Sequence, residues 1–173
     1  MRPPKKIFQA KRFAVEEVTE QLPDGSQLVR NIVRHPGAVV ILPLVDENHA
    51  CLIHTYRVAI DAWHLELPAG TLDKGLSPEE TAAAELIEET GYHAGYLKLV
   101  HTFAMSPGIL DEKMYFFVAR NLTLGSTARE AGEQMENRVL SWAQIDTLLR
   151  DQQITDAKTL VALLWYLRYR EHA

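Results

Sequence analysis

The sequence predicts an α/β domain with an N-terminal β-hairpin extension, and three observations lead there. Residues 1–36 alternate apolar and polar positions around a turn, residues 37–45 form an unbroken apolar run, and two segments near 77–90 and 156–170 carry helical periodicity. In the first segment Phe13, Val15 and Val18 lie in one run and Leu28, Ile32 and Val33 in the next, with Pro23-Asp24-Gly25 as the turn between them. The run GAVVILPLV then reads as a buried strand, and Asp46-Glu47-Asn48 turns the chain into a second strand, HACLIHTY. Further strands are expected at 96–104, 114–119 and 138–142.

The first helix is announced by Ser77-Pro78-Glu79-Glu80: a capping hydroxyl, proline at the first helical position and glutamate at the third. It runs to Thr90, with Gly91 as its C-terminal stop. The second covers 156–170, where Leu160, Leu163, Leu164 and Leu167 repeat at helical spacing, and a shorter helix is expected at 143–151. Strands and helices in this mixed order give one α/β domain over 37–173, with 1–36 as a semi-separate hairpin.

Composition narrows the function classes. With 173 residues, 47% hydrophobic and 24% charged, the chain is long enough for one well-packed core. A formal net charge of −5 speaks against a nucleic-acid partner. It leaves room for an anionic small substrate, because a divalent cation can bridge acidic residues to phosphate. The lone cysteine, Cys51, sits in an apolar run and reads as a small buried residue. No apolar stretch reaches transmembrane length, and MRPPKKIFQAKRF has no apolar secretory core. The expectation is a cytoplasmic protein without a membrane partner. Trp63, Trp165 and Tyr166 read as packing residues; Phe13 reads as core or as a platform for a purine.

The informative segment is GTLDKGLSPEETAAAELIEETGY, residues 70–92. At 100° per residue, Glu85, Glu88 and Glu89 share one helical face, and Ala83, Leu86 and Ile87 lie opposite, ready to pack on a sheet. Two readings are open: a solvated acidic face, or a cation-binding one. Like charges at i, i+3 and i+4 weaken a helix, and these sit near its C-terminus, where the macrodipole disfavours anions. A cation would relieve both penalties, and oxygen-only ligands indicate Mg²⁺ or Mn²⁺ rather than zinc.

Residues 70–92 resemble the Nudix box. Gly70, Glu85, Leu86, Glu88, Glu89, Gly91 and Tyr92 fall in register, while Leu76 and Ala84 stand where the box has Glu and Arg. By this resemblance the fold is an α/β/α sandwich with a mixed sheet. Glu85, Glu88 and Glu89 are then metal ligands, with Glu85 and Glu88 also in the catalytic machinery, and the carbonyl of Ala69 completes the site. The segment SPGILDE, with Pro107 sixteen residues after Gly91, is similar to a loop of the ADP-ribose pyrophosphatase group. That loop borders the substrate, so Pro107, Gly108 and Glu112 are implied as substrate contacts. HTYR resembles the group's Arg-Gln-Tyr-Arg strand: Arg57 matches the second arginine, a phosphate partner, and His54 replaces the first.

The resemblance implies hydrolysis of a nucleotide-sugar diphosphate, ADP-ribose to AMP and ribose 5-phosphate, with Mg²⁺ (or Mn²⁺). It also implies a homodimer in which the 1–36 hairpin contributes to the partner's substrate site. A general base is expected from the loop GSTAREAGEQMEN, where Glu130, Glu133 and Glu136 are the acids. The register to the following strand points to Glu133 or Glu136, and no spacing rule separates them. Two alternatives remain open at this level: hydrolysis of GDP-mannose or another nucleoside-diphosphate-sugar, and a catalytically weak protein that binds nucleotide-sugars.

Overall fold

The computed structural model describes residues 3–127 and 134–172. The N-terminal segment is a three-stranded antiparallel sheet of β1 (Lys5–Gln9), β2 (Ala14–Gln21) and β3 (Gln27–Arg34). The expected hairpin is β2–β3, and Gly25 takes the turn at φ 87°, a conformation that favours glycine. The added strand β1, KKIFQ, is exposed along its whole length and has no apolar–polar rhythm.

Six consecutive residues of β4 (Ala38–Pro43) are buried, because both faces of the strand are covered. Successive side chains point to opposite faces. Val39 and Ile41 meet Ala82 and Leu86 of α1 (Pro78–Thr90), while Val40 and Leu42 pack in the cluster that holds Leu163 and Tyr166 of α3 (Ala157–Tyr169). Helices therefore flank the sheet on both sides, and the α/β/α sandwich stands. The sheet order is β7 (Ala69–Thr71), β4, β9 (Lys113–Leu124), β8 (Tyr92–Ala104); β4 and β9 are parallel and the other pairs antiparallel, which makes it mixed. A second sheet has the order β10 (Met135–Ser141), β5 (His49–Arg57), β6 (Ala62–Glu66), all antiparallel. Cys51 is buried in it, as expected.

Helix α1 forms where its caps place it. Ser77 and Glu80 make a reciprocal capping box, and Gly91 ends the helix at φ 77°. Its packing face is rotated from the expected one: Ala82, Leu86 and Glu89 are buried, Ala83 is exposed and Ile87 only half-buried. The sheet contacts the helix along the Ala82–Leu86 line, so Glu89 is at the helix–sheet seam, 6% exposed, instead of on a solvent face. Helix α2 (Trp142–Arg150) carries a second capping box, Ser141 with Gln144.

The N-terminal sheet is stapled to the segment that follows β8. The Val33 amide donates to the Ile109 carbonyl at 2.8 Å and the Asp111 amide to the Val33 carbonyl at 3.1 Å. Arg34 joins Glu16 to Asp111, and the His35 amide donates to Asp111 Oδ1 at 2.8 Å. The segment 106–112 thus takes its position from β3. Among the described residues no helix is long and apolar enough to cross a membrane.

Candidate active site

A cavity of about 570 Å³ opens where α1, β7, the start of β9 and the β1–β2 turn meet. Ala69, Glu85, Glu88 and Glu89 line it, together with Arg57 and Glu112, so six of the residues expected at the site converge from four separate stretches of chain. Three expected residues lie elsewhere. Pro107 lines a neighbouring groove with Val18, Ile32 and Leu110, Gly108 lines neither hollow, and Glu136 stands on β10 away from the cavity wall. Glu130 and Glu133 fall outside the described residues.

The acidic wall is held from both sides. Strand β7 pairs with β4 through Ala69 opposite Val40, and the Ala69 amide donates to Glu89 Oε2 at 3.0 Å. One residue thus fixes the buried carboxylate and carries the carbonyl expected to share its ligand. Gly70 explains its own identity: a β-carbon there would overlap the Glu85 carboxyl, so only glycine lets Glu85 lie against β7. At the far end of α1 the side-chain amide of Asn137 donates to the Thr90 carbonyl at 2.8 Å, capping a terminus without a basic residue in its last turn.

Lys74, from the loop between β7 and α1, reaches the same wall. Its ammonium is 3.2 Å from Glu88 Oε2 and 3.6 Å from Glu85 Oε1. Among the described residues no three His, Cys, Asp or Glu side chains are gathered closely enough to form a metal cluster as they stand. The side chains themselves suit a hard divalent cation: Glu85, Glu88 and Glu89 are three carboxylates on one wall, oxygen donors throughout.

Sequence reasoning missed the cluster behind Arg57. Glu66, 2% exposed, accepts from Arg57 Nε at 2.8 Å and Nη2 at 2.6 Å and from Lys158 Nζ at 2.5 Å; Lys158 also pairs with Asp156 at 2.9 Å. Burial alone would push the Glu66 carboxyl up, but the hydrogen bonds and charges of Arg57 and Lys158 outweigh it and bring it down to about 2. Asp156 is the N-cap of α3, accepting from the Thr159 amide at 3.0 Å, and Lys158, two residues on in the first turn, lines the cavity. Its only trace in the sequence is an Asp before an apolar helix.

The β1–β2 turn adds Lys11 and Arg12 to the cavity of its own chain, and Arg12 Nε lies 3.8 Å from Asp73 Oδ2. Glu112 Oε1 is 3.4 Å from His35 Nδ1. Glu136 is held by His54, whose Nδ1 is 3.3 Å away, and by Arg138; both keep its carboxyl below the usual range. Trp63 is not a packing residue: it is 49% exposed, and its ring lies tilted against His54 with centroids 4.9 Å apart. Trp165 and Tyr166 do pack, in the cluster under α3. Phe13 is exposed, 6.0 Å from the ring of Phe8.

Comparison with known proteins agrees with this arrangement. The family model described as NUDIX domain matches residues 33–164. An ADP-ribose pyrophosphatase of Bacillus subtilis (strain 168) is 36% identical over 167 residues, 95% of this chain and 90% of that protein. A methanol dehydrogenase activator of Bacillus methanolicus is 33% identical over 96% of each chain. A crystal structure of an ADP compounds hydrolase superposes with a TM-score of 0.84 at 26% identity, covering 99% of this chain and 96% of that one. With its fold and nearly its whole length matched, this chain belongs to the Nudix hydrolase family, in the ADP-ribose pyrophosphatase-like branch.

Proposed function

We propose that this Nudix hydrolase cleaves the diphosphate of a nucleotide-sugar in the cytoplasm, ADP-ribose foremost, giving AMP and ribose 5-phosphate. The observation that carries the reading is one cavity that joins an all-oxygen acidic wall to a set of cations, Lys11, Arg12, Arg57 and Lys158. A diphosphate is the group whose charge needs both. A similar chain named ADP-ribose pyrophosphatase supports the choice of substrate.

Ala69, through its carbonyl, and Glu85, Glu88 and Glu89 would hold Mg²⁺, with Mn²⁺ as a substitute. The ion supplies positive charge that polarises the phosphoryl oxygens. The side chains do the rest. Arg57 has Nε and Nη2 on Glu66, which fixes the guanidinium plane and leaves Nη1 for a phosphate oxygen. Glu112 can accept only, which suits a sugar hydroxyl, while Pro107 and Gly108 shape the loop that carries it. The attacking water gives its proton to an acid of the 125–137 loop, and Glu133 takes this role because Glu136 is engaged on the exterior with His54 and Arg138. Positioning and charge neutralisation account for most of the lowering of the barrier in such a displacement.

The 1–36 unit serves both dimerisation and substrate contact in this reading. Ile7, Phe8 and Val29 are exposed apolar side chains on its sheet, the kind of surface a second copy would cover. Light scattering should give a homodimer at micromolar concentration; a monomer there would remove the dimerisation role. For the substrate, a panel of ADP-ribose, GDP-mannose and nucleoside triphosphates with Mg²⁺ should show ADP-ribose with the highest kcat/KM. A preference for a triphosphate overturns the proposal, and binding of ADP-ribose without turnover would establish the binding-protein alternative.

A further inference from the structure

The box positions held by Leu76 and Ala84 leave the acidic face without the arginine that would stand beside it on the helix and without the glutamate of the preceding loop. Yet a loop-to-helix tie exists. It runs the other way, with the cation in the loop: Lys74, two residues before Leu76, contacts Glu88 at 3.2 Å and Glu85 at 3.6 Å. The loop that carries it turns at Gly75, φ 73°, which brings the lysine stem over α1.

From this geometry we infer that Lys74 is a tethered counter-cation that competes with the divalent ion for Glu85 and Glu88, and so sets the affinity of the site. The inference rests on the assignment of the metal to this wall. The argument is electrostatic. The Lys74 side chain is 42% exposed and ends a flexible four-carbon stem, so its hold on the two carboxylates is weak and exchangeable. Glu85 and Glu88 are the less exposed partners, at 13% and 30%. A divalent ion bound to those oxygens would stand within a few ångströms of the ammonium, and the two like charges repel. Binding therefore displaces Lys74, and the free energy of its ion pairs is subtracted from the affinity. A neutral side chain at 74 removes that opposition.

The experiment is direct titration of Mn²⁺ alone, without nucleotide and at fixed ionic strength, followed by calorimetry or by the spin resonance of the free ion. Lys74→Met should bind roughly threefold to tenfold tighter than wild type, the range expected when two weak, partly exposed ion pairs stop competing. Lys74→Arg, which keeps the charge, should behave as wild type. Lys5→Met, which removes the same charge from the exposed strand β1, should also behave as wild type. Unchanged or weaker binding by Lys74→Met overturns the inference, as does an equal gain in Lys5→Met, which would trace the effect to net charge. If neither wild type nor Lys74→Met binds Mn²⁺, or if Glu89→Gln leaves binding intact, the metal assignment itself falls and the inference with it.

Discussion

Replacing Glu66 by Gln keeps the shape of the side chain and removes the charge that Arg57 and Lys158 share. The cost can be worked from the titration of the carboxyl. Its fall from 4.5 to about 2 on folding corresponds to about 3 kcal/mol at about 1.36 kcal/mol per pH unit. Arg57 is 43% exposed, so solvent screens part of that interaction, and about 2–3 kcal/mol is the expected destabilisation at pH 7. For a chain of this length that lowers Tm by roughly 4–12 °C. The pH dependence follows from the sign of the shift. A carboxyl depressed in the folded state contributes its full stability above its unfolded value of 4.5 and loses it as pH falls through 4.5 towards 2. About 0.8 kcal/mol should be gone by pH 4. Urea unfolding of wild type and Glu66→Gln between pH 7 and pH 4 measures both quantities. A difference below about 0.5 kcal/mol at pH 7, within the range of ordinary surface substitutions, would refute the reasoning, as would one that grows as pH falls.

Two further predictions concern the reacting groups. Gly70→Ala places a β-carbon against the Glu85 carboxyl and forces it aside; kcat/KM should fall about 10²-fold, the scale of a misplaced catalytic group, with Tm little changed. Wild-type kcat/KM in that variant would show that the position of Glu85 is not critical. Glu133→Gln should lower kcat by roughly 10²–10⁴-fold, as loss of a general base does, whereas Glu136→Gln should leave it near wild type. The opposite ranking in kcat would move the base to the exterior pair with His54.

What the sequence made legible was local or periodic. The caps of α1 are readable because Ser77, Pro78, Glu80 and Gly91 act within one turn of themselves, and β4 because a strand covered on both faces must be apolar throughout. The three carboxylates of 85–89 follow from helical angle alone. The rotation of that helix does not: Ala82 and Ala83 are chemically identical, and only the sheet decides which one it buries. Short strands such as β7, AGT, carry too few residues for a pattern, although β7 places Ala69 and Gly70. In the Glu66–Arg57–Lys158 cluster Glu66 and Lys158 are 92 residues apart, and a buried glutamate in a strand has no signature until its partners are in space. Trp63 shows the converse error, since either side of a strand accepts an aromatic and this one faces solvent beside His54.

The central claim is that hydrolysis occurs on the 85–89 wall with the help of a divalent cation, and Glu89 is its most direct probe. Glu89 is buried at the helix–sheet seam with its Oε2 held by the Ala69 amide, so Glu89→Gln preserves size while removing the charge. The measurement is ADP-ribose turnover at saturating Mg²⁺ by wild type and Glu89→Gln, each repeated with chelator, with thermal unfolding as the control for the fold. The account predicts AMP and ribose 5-phosphate from wild type only when Mg²⁺ is present, and loss of most turnover in the variant with its cooperative unfolding retained. Wild-type turnover in Glu89→Gln, or turnover by wild type that survives the chelator, would contradict it.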